Sequence, residues 1–212
     1  MMNIFELREE IAAEKLDEKS VPDNYLSLFT KWYKQAAEAK IYEPGAFALA
    51  TADKIGNPSC RMLLLKGFDK RGFIFFTNYD GRKATHLAEN NHAAMVFYWG
   101  EIERQVRIEG IVEKISAEES DSYFETRPVG SRLGAWASPQ SQPINSREWL
   151  EKAHNDFFEK FNNKAIPRPE NWGGYLLSPT LVEFWQGRPN RLHDRIQYSL
   201  DGLDWKIRRL AP

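Results

Sequence analysis

The stretch AFALATADKIGNPSCRMLLLKGFDKRGFIFFTN, residues 46–78, decides the fold. Three short apolar runs, AFALAT, SCRMLLLK and FIFFTN, are cut by the turn-rich segments DKIGNP and GFDKRG. Runs of this length joined by Asp, Gly and Asn turns predict an antiparallel meander. Parallel strands would each need a crossover of a dozen or more residues, which these turns are too short to supply.

Downstream, GRKATHLAEN (81–90) reads as a short helix, AAMVFYW (93–99) as a buried strand and ERQVRIEGIVEKI (103–115) as a long one. In the last, Val106, Ile108, Gly110 and Val112 share one face. Ser116 with Glu119 has capping-box spacing and starts a helix carrying Tyr123 and Phe124. Asn145 with Glu148 repeats the signal before a helix with Leu150, Phe157 and Phe161. Beyond Pro167 and Pro169, strands resume at YLL (175–177) and LVEFW (181–185), and RIQYSLDGLDWKIRRL (195–210) reads as a hairpin around Asp201-Gly202. Upstream, Leu26, Phe29, Tyr33 and Ala36 form the stripe of a core-packing helix, which Pro22 separates from a charged N-terminal arm. That arm is expected to be helical through residue 19, with Ile4, Leu7 and Ile11 on one side. The expected architecture is mainly β with flanking helices: six to eight antiparallel, Greek-key-like strands in a barrel or sandwich. Residues 1–21 form the arm and 22–212 one domain.

Lys plus Arg (29) nearly cancel Asp plus Glu (30), which argues against binding nucleic acid by bulk phosphate attraction and against a polybasic membrane surface. The lone Cys60 cannot form an intramolecular disulfide and makes a thiolate metal site implausible. The four His lack metal-ligand spacing, so no metal is expected. The N-terminus has no secretory apolar region and no run approaches a spanning helix; the chain reads as cytoplasmic. Seven Trp, eight Tyr and thirteen Phe suit strands and cores, but equally planar ligands or subunit interfaces.

Several segments combine residue types suited to anions. Arg82-Lys83 follows TNYDG at a helix start, where backbone N–H groups and two cations make a phosphate cradle or, more plainly, a solvated helix end. Arg61 and Lys66 bracket an apolar run, five positions apart and so on opposite faces of a regular strand. Gln105 reads as an inward amide that needs partners inside the fold or on a ligand. Tyr123, Arg127 and Ser131 recur every four residues across a helix end and the following loop, offering a phenol, a guanidinium and a hydroxyl to a phosphate or carboxylate. The segment GAWASPQSQ (134–142) reads as loop. EFWQGRPNRLHDR (183–195) gathers Trp185, Arg188, Arg191, His193 and Arg195 into a basic stretch suited to an anionic substrate.

Taken in order, RMLLLK (61–66), FFTNYDGRK (75–83), ERQVRIEG (103–110), YFETRPVGSRLGAWASPQS (123–141), EFWQGRPNRLHDR (183–195) and WKIRRLAP (205–212) resemble the pyridoxamine/pyridoxine 5'-phosphate oxidase family. The resemblance runs from about Leu28 to Pro212. It implies an FMN-binding split barrel, a homodimer with FMN at the subunit interface, and oxidation of pyridoxamine or pyridoxine 5'-phosphate to pyridoxal 5'-phosphate, with O2 reduced to H2O2. By the family's motif, Arg61, Met62, Leu63, Leu64, Leu65, Lys66, Phe76, Thr77, Arg82, Lys83, Gln105, Gln140, Ser141, Trp185 and Arg195 fall at FMN-contacting positions. Lys66, Tyr123, Arg127 and Ser131 fall where the family holds the substrate phosphate, and Arg191 and His193 where it embraces the pyridine ring and assists catalysis. Arg8 to Ile11 match a segment that covers the pocket. Two departures stand out: Phe76 and Ile11 occupy positions where the family often has Tyr.

Overall fold

The computed structural model describes residues 15–162 and 164–212. Arg8, Ile11 and the expected stripe of the arm therefore lie outside the described residues. The described end of the arm is not helical: 15–17 are irregular and 18–20 form a turn.

Among the described residues, five α-helices and nine strands follow. They are α1 (Tyr25–Glu38), β1 (Ala46–Ala52), β2 (Pro58–Leu64), β3 (Gly67–Asp69), β4 (Gly72–Asn78), α2 (Arg82–Glu89), β5 (His92–Trp99), β6 (Arg104–Lys114), α3 (Ala117–Thr126), α4 (Val129–Ala137), α5 (Arg147–Phe161), β7 (Trp172–Gln186), β8 (Asp194–Asp201) and β9 (Asp204–Leu210). The nine strands, against an expected six to eight, form one antiparallel sheet in the order β2-β1-β5-β6-β7-β4-β3, with β8 and β9 continuing from β7. The two ends of that path, β2 and β3, are joined by Leu65 and Lys66 alone. So short a link spans at most about 11 Å, so the sheet must curl until its ends meet. Lys66 N–H donates to the Ile74 carbonyl at 2.9 Å, carrying the chain from β2 across to β4. This is a barrel with a seam.

The pleat sends Phe47 and Leu49, Phe73 and Phe75, Met95 and Phe97, Val106 and Ile108, and Val182 and Phe184 inward, all fully buried. Helix α1 closes the interior. Asn24 caps it by accepting from Leu26 N at 2.7 Å, and Phe29 packs edge-on against Phe68, Phe73 and Phe97 at 4.9–5.3 Å between ring centroids. Its buried stripe is Tyr25, Leu28, Phe29, Trp32 and Ala36, so Leu26 and Tyr33 sit at the margin of the expected face.

Strand β7 is continuous where two strands were expected. Pro179 lies opposite Gly110 at a register shift, the kind of irregularity where a sheet accepts proline. A Cβ on Gly110 would stand 2.1 Å from the Ser178 carbonyl oxygen, so this close approach needs glycine. Ser146 caps α5, one residue later than the expected Asn145, by accepting from Trp149 N at 3.2 Å. The expected loop 134–142 begins as the end of α4 and becomes irregular only at Ser138. Among the described residues no helix is long and apolar enough to cross a membrane.

Candidate active site

The first cluster sits where β1, β2, β4 and α2 meet. Arg61 points to the inner side of β2 and is held by its own strands: Nη1 donates to Leu49 O and Thr51 Oγ1, both at 2.9 Å, and Nη2 to Ser59 Oγ at 2.7 Å. Lys83, in the first turn of α2, is 7% exposed, and its Nζ donates to Thr77 Oγ1 at 2.9 Å and Gln140 Oε1 at 2.5 Å. Burial first, and then the nearby Arg61 charge, pushes Lys83 down to about 8; burial likewise lowers Arg61. Neither cation has a carboxylate partner among the described residues. Gly81 caps α2 without a side-chain hydrogen bond, and a Cβ there would stand 2.7 Å from Gln140 Oε1. Two desolvated cations, a helix N-terminus without a side-chain cap and amide and hydroxyl groups are the donor set a phosphate monoester requires. Arg82 is exposed beside them. Ser141, also exposed, adopts φ 69° just after Gln140.

The second cluster begins at the neighbouring residue. The Phe76 ring stacks on Tyr123 at 3.8 Å and on Trp172 at 5.6 Å. The Arg127 guanidinium lies 4.3 Å over Trp172, and its Nη1 is buried without a hydrogen-bond partner. Burial lowers Arg127 and raises the Tyr123 phenol. A buried guanidinium nitrogen with nothing to donate to is poised for an anion. Ser131, expected in a loop, lies exposed in the first turn of α4. Lys66 is exposed, and its backbone is tied to Ile74, two positions from Phe76 on the same side of β4. Met62 and Leu64 face outward from β2, 65% and 39% exposed; Leu63 is half-buried and Leu65 buried.

The third cluster is elsewhere. Trp185 packs on His193 at 4.7 Å, and Gln105 pairs with Trp185 across the β6–β7 ladder. Arg188 N–H donates to His193 Nδ1 at 3.1 Å, which leaves the His193 proton on Nε2. Arg191 is exposed, and with Asn190 it forms two consecutive residues in the left-handed region, φ 61° and 58°, a strained turn at the tip of the β7–β8 loop. Arg195 is raised by its hydrogen bonds to the buried Glu183, at 2.9 and 3.1 Å. Trp185 lies twelve residues along β7 from Gly173, the partner of Thr77, about 40 Å of strand. One chain thus carries the first two clusters at one end of β7 and the third at the other.

Gln105 is not inward as expected. It is half-buried on the outer face, and Arg104 takes the inner position, donating to Gln186 at 2.8 Å and Gln35 at 2.5 Å and lying 4.6 Å over Trp32. Sequence reading also passed over Gly81 and Glu183. The second had a signal, a carboxylate inside the apolar strand LVEFW.

The comparisons with known proteins agree with this architecture. A family profile described as pyridoxamine 5'-phosphate oxidase matches residues 33–160, and one described as the pyridoxine 5'-phosphate oxidase C-terminal dimerisation region matches 172–212. The chain is 56% identical over 212 residues to a pyridoxine/pyridoxamine 5'-phosphate oxidase of Polynucleobacter asymbioticus, with all of both chains covered. It is 53% identical to the protein of that name from a Cyanothece species, covering 100% of this chain and 99% of the other. Among solved structures, PhzG from Burkholderia lata, in complex with tetrahydrophenazine-1-carboxylic acid, superposes with a TM-score of 0.91 at 33% identity, covering 96% of this chain and 100% of that one. An FMN-binding protein from Nostoc punctiforme shares the fold at 19% identity, with a TM-score of 0.72 and coverage of 91% and 99%. The curled antiparallel sheet with its flanking helices is the split-barrel flavin-binding fold. Fold, motifs and full-length identity converge, and the chain belongs to the pyridoxamine 5'-phosphate oxidase family.

Proposed function

We propose that this protein binds FMN and oxidises pyridoxamine 5'-phosphate and pyridoxine 5'-phosphate to pyridoxal 5'-phosphate, with O2 reduced to H2O2. One observation carries the reading: two cationic sites, neither neutralised by a carboxylate among the described residues, adjoin at Phe76-Thr77. Thr77 serves the Lys83–Gln140 cradle and Phe76 the Tyr123–Arg127 platform. Two phosphorylated ligands fit two such sites.

In this reading Arg61, Thr77, Arg82, Lys83, Gln140 and Ser141 hold the FMN phosphate and ribityl end. The FMN, when bound, supplies the two-electron acceptor that O2 regenerates. Lys66, Tyr123, Arg127 and Ser131 anchor the substrate phosphate, so binding energy far from the reacting carbon fixes its position. His193, with Nδ1 occupied by Arg188 N–H, presents Nε2–H as a donor to a ring substituent, and Arg191 adds positive charge beside it. Trp185, Gln105 and Arg195 line the flavin from the third cluster.

About 40 Å of strand separates that third cluster from the first two, so we assign a homodimer with two equivalent sites at its interface. The outer face of β1, β2 and β5 supports this. Ala46, Ala48 and Ala50 make a low strip between Met62 and Tyr98, which are 65% and 67% exposed. The described end of the arm supports a role beside the site, because Leu16 to Glu18 is pinned by Arg209 beside Asp194, the neighbour of His193.

The test is direct. The purified protein should carry or take up FMN with a flavin spectrum, and each phosphorylated vitamer should yield pyridoxal 5'-phosphate and peroxide in equal amounts. No product from either vitamer after FMN loading would overturn the activity. Flavin binding without that product would point to a split-barrel oxidoreductase for another substrate.

A further inference from the structure

Arg61 is the only cation of the FMN cradle whose direction is set by several bonds from its own strands, and one of those bonds leads further inward. Thr51 is the last inward residue of β1, 3% exposed. Its Oγ1 accepts from Arg61 Nη1 at 2.9 Å and lies 3.3 Å from Nδ1 of His86, which is 5% exposed in α2. Because the Thr51 oxygen accepts from a guanidinium, its own proton is free to go to His86 Nδ1. Nothing in the flavin or substrate sets calls for a threonine or a histidine here, yet both are buried polar groups whose hydrogen bonds run toward Arg61. The three bonds occupy both protons of Nη1 and one of Nη2. Nε and the second Nη2 proton remain for a ligand. An unanchored arginine would have to order its side chain on binding and would lose affinity accordingly.

We propose that Thr51, backed by His86, is a positioning residue that fixes the Arg61 guanidinium toward the FMN phosphate. Neither residue touches the cofactor; Thr51 acts through Arg61, and His86 through Thr51. His86 also ties the last turn of α2 to β1 while Lys83, in the first turn of the same helix, faces the cradle. Thr51 thereby sets the relative placement of the two cations. The inference rests on the reading of Arg61 and Lys83 as the FMN phosphate site.

The discriminating measurement is affinity of the apoprotein for FMN and for riboflavin, which lacks the phosphate, by quenching of flavin fluorescence. Thr51→Val keeps the β-branched shape and removes the hydroxyl. It should raise the FMN Kd about tenfold, the effect of one lost hydrogen bond to a charged group, and leave the riboflavin Kd within about twofold. Thr51→Ser should restore the wild-type FMN-to-riboflavin ratio. Equal weakening toward both ligands would assign Thr51 a merely structural role and overturn the proposal, as would an unchanged FMN Kd. If Thr51→Val does not fold, Ser59→Ala removes another Arg61 bond and carries the same expectation. A wild-type protein that binds FMN no better than riboflavin would instead sink the reading of the phosphate site itself.

Discussion

Lys83 is the single side chain through which the proposed phosphate site can be tested. Burial and Arg61 hold it near 8, below the value of about 10.4 for a lysine in an unfolded chain. Between those values the folded, ligand-free protein binds fewer protons than the unfolded one. The Lys83 contribution to stability therefore rises with pH from about 8 to about 10 and is flat below. A bound phosphate favours the charged lysine, so at the proposed site FMN binding would take up a proton in the same range. The FMN Kd should stay level from pH 7 to about 8 and then rise, by up to about tenfold per pH unit. In Lys83→Met the Kd should be higher throughout and the Lys83-linked rise should vanish; fluorescence titration across pH 7 to 10 reads both. A rise of the same size in Lys83→Met would assign the proton to another group. The Arg61–Lys83 pair was visible in the sequence only as two separate basic segments, 61–66 and 82–83. Their meeting depends on β2 and α2 both lying against the end of β1. That is a tertiary fact.

At the level of elements, α2 is placed as much by what Gly81 lacks as by what Lys83 supplies. Gly81 has φ −75°, open to any residue, so Gly81→Ala introduces no backbone strain. Its new methyl, however, would meet Gln140 Oε1 at 2.7 Å, the same oxygen that accepts from Lys83 and Thr77. Gly81→Ala should raise the FMN Kd about tenfold while the melting temperature of the apoprotein changes by no more than about 2 °C; calorimetry and flavin titration separate the two. A large loss of stability with unchanged affinity would mean the contact holds α2 and not the cradle. The elements themselves were largely legible, because burial on one face leaves a period of two or 3.6 in the apolar residues. What escaped were features set by distant partners. Strand β6 shows Val106 and Ile108 in phase, which places Arg104 inward, yet a buried arginine is tolerable only because Gln35, Trp32 and Gln186 come to meet it. Strand β7 runs through Pro179 because Gly110 of β6 yields the space opposite. Asn145 and Ser146 both have cap chemistry, and the first turn of α5 selects the second.

On the scale of the whole molecule, the barrel separates what the motifs group together. The cradle and the Tyr123–Arg127 platform lie by Trp172 and Gly173 at the start of β7, and Trp185 and His193 at its end. No spacing in the sequence announces this separation, since a strand's length becomes distance only once the sheet exists. The proposed C2 dimer would resolve it: each site would take its phosphate-binding groups from one chain and its His193 loop from the other. The consequence can be tested without a structure of the dimer. Arg127→Ala and His193→Ala homodimers should each lose most of their turnover, because each lacks one half in both sites. After the two variants are unfolded together and refolded, about half the dimers are mixed by random pairing. In a mixed dimer one site draws Arg127 from the His193→Ala chain and His193 from the Arg127→Ala chain, and is intact; the other carries both lesions. Pyridoxal 5'-phosphate formation should then recover to about a quarter of the wild-type rate, one good site in half of the dimers. A site contained within one chain could never be repaired this way, because every chain in the mixture carries a lesion. Recovery near a quarter therefore supports the shared site, and a mixture no more active than its parents, with mixed dimers verified by mass spectrometry, would rule it out.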